Sequence, residues 1–399
     1  MISKYRDWYN RQWTPGLYKE FLDGVYAAHN HVTPFRIAET PFFIPALLKN
    51  RLLEACENIN KVICRPNFKE LTQNAIPDPS LMVPGEDNHT TFLQMDFGIT
   101  LDETGQPMPK LIEIQGFPSV YFFQEMISRH YRSVFGIPNE LDTFFDPAMT
   151  ADKYVELLKD VIVGSSDPKE VVMLEIEPEK QTTYIDFLCT AAKLGIKVLC
   201  LTKVIKQDKK LYYQDENGEL IRIQRIYNRV IFDELEQRKD LVYQFSFADD
   251  LEVKWVGHPN WFYRISKFTM PLLTGPYVPK CYYLSDLTSY PEDLHNYVLK
   301  PLFSFAGSGV ELNVTTSMLD HITDKQNYLL QEKVEYAPVI NAPGEGVKCE
   351  IRMLMLWPDE YKEPIIVNNL VRLSKGAMIG VKYNKDKDWV GGSVGFFER

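Results

Sequence analysis

The chain has 399 residues, enough for two or three domains around a sizeable core. With 45% hydrophobic and 25% charged residues it has the composition of a soluble globular protein. Its net charge of −10 argues against a nucleic-acid or anionic-membrane partner, because such binders carry basic patches.

The first 13 residues, MISKYRDWYNRQW, contain no apolar core of a signal peptide, and no apolar run approaches a membrane span. The six cysteines, Cys56, Cys64, Cys189, Cys200, Cys281 and Cys349, form no CxxC pair and have no companion histidine cluster. They read as small buried hydrophobes in a reducing compartment, so the cytoplasm is the expected location.

Residues 1 to about 90 read as an N-terminal helical layer. It has an aromatic start (Trp8, Trp13, Tyr18, Phe21) and a helix within Pro45–Phe68, where Leu47, Leu48, Leu52, Leu53, Ile59 and Val62 fall close to helical spacing. Ile76–Asn88 is rich in Pro, Gly and Asp and reads as a loop. Residues 91–150 follow with a hairpin: strand Thr91–Leu101, a DETG turn, and strand Pro109–Gln115. Strand alternation puts Glu113 and Gln115 on one side together with Leu111, while Ile112 and Ile114 point the other way. Pairing could bring Asp96 beside them, giving two carboxylates and an amide, a hard-oxygen set suited to Mg²⁺. The same residues also fit an exposed polar face.

Residues 165–258 change pattern. Val171–Ile176, a helix over Thr182–Leu194 closed by Gly195, and Lys197–Leu201 form a βαβ unit, hence a parallel sheet in an α/β lobe. Leu211–Ile223 is a hairpin with Asn217–Gly218 at its tip, and Ile226–Ile231 is one more strand. The lobe has no GxGxxG, which excludes the dinucleotide fingerprint.

Residues 259–399 hold Lys267 in a helical, aromatic setting, then the stretch NYVLKPLFSFAGSGVE. Its strand runs through Lys300 into a loop ending Gly307–Ser308–Gly309. Glycines let backbone N–H groups approach phosphate oxygens and lysine adds fixed charge, though an ordinary strand and turn would look similar. Tyr328–Val334, Lys348–Trp357 and Pro364–Leu373 read as further strands, with Glu350 and Arg352 on one face and Arg372 late in the next strand. Trp389–Gly395 reads as a second glycine-rich loop.

Taken in order over roughly residues 90–399, these motifs resemble the ATP-grasp superfamily in its circularly permuted form. The relatives in view are eukaryotic-type glutathione synthetase and the synthetase domain of glutathionylspermidine synthetase. The resemblance implies an α+β ATP-grasp fold with an inserted α/β parallel-sheet substrate lobe and an N-terminal helical layer. It implies ATP and Mg²⁺ as cofactors, small-molecule carboxylate and amine substrates, and an acyl-phosphate ligase reaction. Lys267 and Lys300 would hold phosphates under a lid at residues 303–309, which includes Ser304, Gly307, Ser308 and Gly309. Gln331, Glu332, Lys333 and Val334 would form the hinge reading adenine, with Glu332 or Glu350 near adenine or ribose. Asp96, Glu113 and Gln115 would bind Mg²⁺. Arg372 would meet the acceptor carboxylate or acyl-phosphate, and Gly391 and Gly392 would close over the substrate. The chain departs from these relatives at Gln94, where they carry arginine, at Gln115, where they carry asparagine, and at Ser304, where glutathione synthetase carries a metal-binding glutamate. These departures leave two alternatives to the ligase, a weakened ATP-binding regulatory or assembly module and a kinase-like phosphoryl transferase. They also argue against glutathione or spermidine as substrate.

Overall fold

A computed structural model of the protein describes residues 1–303, 309–342, 344–376, 379, 384 and 386–399. Its centre is a five-stranded antiparallel sheet in the order Gly391–Ser393, Ile365–Ser374, Lys348–Leu356, Phe92–Leu101, Pro107–Gln115. The hairpin expected near residue 100 therefore forms one side of this sheet. Leu93, Met95, Phe97 and Ile99 face a core shared with Leu48, Leu52, Ala55, Cys56 and Ile59 of the Ala46–Ile63 helix. Gln94, Asp96 and Gly98 take the opposite face, as strand alternation requires.

One expectation for the hairpin fails. Asp96 pairs with Glu113 and Phe97 with Leu111, so Ile112 is an extra residue in the ladder. This β-bulge flips the alternation, and Leu111 joins Ile114 in the core instead of sharing a side with Glu113.

The α/β lobe is a four-stranded parallel sheet in the order Lys254–Val256, Arg225–Asn228, Val171–Glu175, Lys197–Cys200. The Tyr184–Leu194 helix makes the crossover and stops at Gly195, which adopts φ 71°. The Lys254–Val256 strand carries no alternation signal of its own. The lobe shares a core with the central sheet, where the Phe92 and Tyr227 rings lie 5.3 Å apart, and polar bonds add to it. Arg229 donates to the Pro118 and Ser119 carbonyls at 2.5 and 3.0 Å, and Asp186 Oδ1 accepts the Phe122 and Phe123 N–H groups that open the Tyr121–Phe135 helix.

A third sheet, Cys281–Tyr283, Tyr328–Glu332 and Tyr297–Pro301, is antiparallel and covers its own small core of Leu284, Leu294, Leu299, Val314, Leu319 and Leu330. The helices Ser3–Gln12 and Pro15–Ala27 pack on Tyr121–Phe135 through aromatic rings, with Phe21 and Tyr131 stacked at 4.3 Å. Among the described residues no helix is long and apolar enough to cross a membrane.

The C-terminal glycine-rich stretch is not a loop. Gly391–Ser393 is an edge strand, and Gly395–Glu398 pairs with Phe42–Phe43 and Leu141–Asp142. The glycines permit close packing: a Cβ on Gly391 would lie 2.3 Å from the Arg36 carbonyl oxygen, and one on Gly395 would lie 2.4 Å from Ile44 Cδ1.

Candidate functional site

The polar face of the central sheet carries charges from four strands, placed by register. Arg352 stands opposite Asp96, Asp96 opposite Glu113, and Glu350 opposite Arg372. Arg352 donates through Nε and Nη2 to the two oxygens of Asp96, each at 2.6 Å. Its Nη1 reaches Ser119 Oγ at 3.2 Å, and its Nη2 lies 3.6 Å from Glu113. Arg372 Nη2 bridges Asp96 Oδ2 and Glu350 Oε1. The Tyr336 hydroxyl donates to Glu350 Oε2 at 2.8 Å. Gly98 makes room for that ring, since a Cβ there would lie 2.7 Å from Tyr336 Cε1.

Burial would raise the Asp96 carboxyl, but Arg352 and Arg372 outweigh it and hold the group below the ordinary aspartate range. Glu350 goes the other way. Burial raises it, with Asp96 and Glu113 adding repulsion that Arg372 only partly offsets. Burial also lowers Lys267 and Lys300, opposed in both by Glu113. Lys300 further feels Lys267 as a like charge, which places the two ammonium groups near one carboxylate. Among the described residues four cations (Lys267, Lys300, Arg352, Arg372) thus face four carboxylates, Asp96, Glu113 and Glu350 with Asp233 beside Lys267, so the charges balance.

The bulge explains two side chains of the third sheet. Lys300 Nζ donates to the Ile112 carbonyl at 3.1 Å, and Gln331 Nε2 lies 3.4 Å from both the Leu111 and Ile112 carbonyls. Two strands of the third sheet, Tyr297–Pro301 and Tyr328–Glu332, thus supply donors to the carbonyls at the bulge.

The sequence-derived residues divide as follows. Asp96, Glu113, Gln115, Lys267, Lys300, Glu350 and Arg372 converge, and Gln331 joins them through the bulge. Glu332 turns to the edge, accepting the Lys280 N–H at 3.2 Å, while Lys333 Nζ bonds the His295 carbonyl at 2.5 Å. Val334 follows the end of the Tyr328–Glu332 strand. Gly309 holds φ 70° against Pro301, and Ser304, Gly307 and Ser308 lie outside the described residues. Gly392 sits across the ladder from Arg372, pinned by bonds to the Arg36 carbonyl and the Ala38 N–H, each at 2.9 Å. Gln94 lies on the site's strand with both amide atoms buried and unpartnered. Sequence reasoning gave no role to Arg352, Ser119 or Tyr336. Arg352 was visible through its spacing of two from Glu350 on a strand, whereas Tyr336, in an irregular segment, carried no signal.

For a metal, Gln115 Nε2 lies 2.7 Å from Glu113 Oε1, so these side chains stand together. Both Asp96 oxygens are engaged by guanidinium groups. Among the described residues no group of three or more His, Cys, Asp or Glu is placed to hold a metal ion. The donors fit an ion held by few protein ligands and completed by phosphate and water, which is the habit of Mg²⁺.

The fold is α+β and is similar to that of a glutathione synthetase-like structure. One similar solved structure is the glutathione synthetase-like effector GSS30 from Globodera pallida in its apo form. It spans 96% of both chains at 13% identity with a TM-score of 0.55. A γ-glutamylcysteine synthetase structure from Methylobacillus flagellatus aligns over 86% of both chains at 12% identity, but its TM-score of 0.36 is too low to establish a common fold. The sequence matches no protein-family model and no curated protein.

Proposed function

We propose that this chain is an ATP- and Mg²⁺-dependent ligase on a circularly permuted ATP-grasp fold, joining a carboxylate to an amine of a small amino-acid or peptide-like substrate. The observation that carries this reading is the seating of Lys300, from a separate sheet, on the Ile112 carbonyl next to the Glu113–Gln115 pair, with the charge of Lys267 also felt there. A buried ammonium group and a half-buried one near an oxygen pair suit a polyphosphate with its metal.

Lys267 and Lys300 would neutralise phosphate oxygens, and Glu113 and Gln115 would hold Mg²⁺ against them. Bound ATP and Mg²⁺ would supply the phosphoryl group that activates the carboxylate, a reaction served mainly by positioning and charge stabilisation. Arg372, whose side chain is 35% exposed against 10% for Arg352, is the guanidinium open enough to meet an incoming carboxylate. Asp96 would act as an anchor for the two arginines rather than as a metal ligand. The six unpaired cysteines are in keeping with the cytoplasm.

ADP release that requires both a carboxylate and an amine tests the reading. The engagement of Asp96 by arginines favours one alternative, an ATP-binding module with weakened catalysis. ATP binding without turnover across an amino-acid and polyamine panel would establish that alternative, and a phosphorylated product without amide would establish a kinase-like transfer.

A further inference from the structure

On the far side of Gly116 from the charged face lies a cleft of about 320 Å³. It is lined by Arg65, Lys69, Asn88, His89, Trp261 and Trp357, among others, and by no aspartate or glutamate. This is notable in a chain of net charge −10. Arg65 is exposed, and its side chain has no ion-pair or hydrogen-bond partner among the described residues. Lys69 stands 5.8 Å over the Trp261 ring and only 3.6 Å from Glu86, a loose pair on a partly exposed side chain. Trp261 is 2% exposed and forms the floor beneath that lysine, its indole N–H buried and without an acceptor among the described residues. The remaining wall is flat and aromatic, with His89 stacked on Trp357 at 4.1 Å and an interplanar angle of 10°. His89 Nδ1 lies 3.1 Å from the Thr90 carbonyl and the Trp357 N–H donates to the Tyr361 carbonyl at 2.9 Å, so both rings are held in place.

We infer that this cleft is a second binding site, for a small planar aromatic carboxylate. The two cations would take the carboxylate, with Arg65 offering the planar fork that matches it. The aromatic wall would take the ring. The volume is at the lower end for ligand pockets and suits one ring with a carboxyl group.

The cleft has a physical route to the charged face. A Cβ on Gly116 would lie 2.6 Å from the Trp261 carbonyl oxygen, and Gly116 N–H donates to the Ile265 carbonyl at 2.7 Å. Gln115 precedes Gly116 and Lys267 follows Ile265 by two residues, so a shift of Trp261 would be felt by both. This coupling rests on the proposed nucleotide site, whereas occupancy of the cleft does not.

The test is calorimetric titration of the full chain, without nucleotide, using benzoate, cyclohexanecarboxylate and inorganic phosphate as probes. Benzoate is expected to bind. Arg65→Ala and Lys69→Ala are each expected to weaken it about tenfold, while retaining the circular dichroism of the parent. Cyclohexanecarboxylate and phosphate are expected to bind at least about tenfold more weakly than benzoate. No benzoate binding, equal binding by both variants, or tighter binding of phosphate would overturn the assignment. A second titration with ATP, with and without saturating benzoate, reads the coupling. An unchanged ATP affinity refutes the coupling and leaves the site, whereas no ATP binding at all refutes the nucleotide reading and leaves the benzoate result intact.

Discussion

Arg352 closes on Asp96 from the neighbouring strand with two bonds of 2.6 Å, across 256 residues of sequence. Asp96 is 1% exposed and Arg352 8%, so this is a buried pair whose oxygens leave no room for a metal. Removing one partner of such a pair leaves an uncompensated charge. Asp96→Ala is expected to cost about 3–5 kcal/mol in urea unfolding, with Arg352 and Arg372 both stranded. A loss under about 1 kcal/mol would show that the network is solvated and not the anchor described above.

The same relationship separates anchor from ligand. In a Mg²⁺ titration in the presence of ATP, Glu113→Gln is expected to weaken metal binding about tenfold or more. Asp96→Asn should do so less than about threefold, provided it stays folded by circular dichroism. Equal losses would return Asp96 to the metal.

Lys300 has two duties, one to the Ile112 carbonyl of the bulge and one to the proposed phosphates. Lys300→Ala is expected to lower ATP affinity by about tenfold or more by calorimetry, from the loss of a charge-assisted contact in a buried site. Unchanged affinity would remove Lys300 from the site and leave it as a brace for the hairpin.

Glu175 ends the Val171–Glu175 strand at 2% exposure, and burial pushes its carboxyl up to about 8, opposed by the Ile176 N–H and Arg229. In the unfolded chain that proton leaves near pH 4.5, so between about 4.5 and about 8 the native state holds the extra proton. Stability from this group is therefore lost as pH rises through that window, by an amount on the order of a few kcal/mol. Glu175→Gln, which keeps an oxygen for the Ile176 N–H, should flatten the fall of the urea midpoint between pH 5 and 8 (about the span of the two values). An unchanged slope would mean the carboxyl is already ionised.

Gly391 has φ 122° as well as its contact with the Arg36 carbonyl. Gly391→Ala is expected to destabilise by roughly 2–4 kcal/mol, seen as a lower Tm, because the backbone must move to admit a methyl group. An unchanged Tm would mean this edge strand yields freely.

Much of the architecture was legible from local signals. The βαβ unit of the lobe, the Asn217–Gly218 hairpin and the Asp102–Gly105 turn depend on alternation, helix length and turn chemistry, all set by neighbours in sequence. The charged residues that converge were legible as types and faces, because Glu113 and Gln115, like Glu350 and Arg352, are spaced by two on strands.

Their partners were not legible. The single extra residue at Ile112 reassigns Leu111 from one face to the other, and no composition or spacing in that strand announces it, because the bulge arises from how two strands twist against each other. The C-terminal glycines look like a mobile loop in sequence, yet they are the small residues of a strand packed against the Arg36 and Ile44 segments. Asp96 shows the division most sharply. The sequence by itself determined that a carboxylate would stand on the polar face of a buried strand. Only the tertiary structure decided that two arginines, from strands more than 250 residues away, would reach it first, because charges in a low-dielectric interior go to the nearest opposite charge that register supplies.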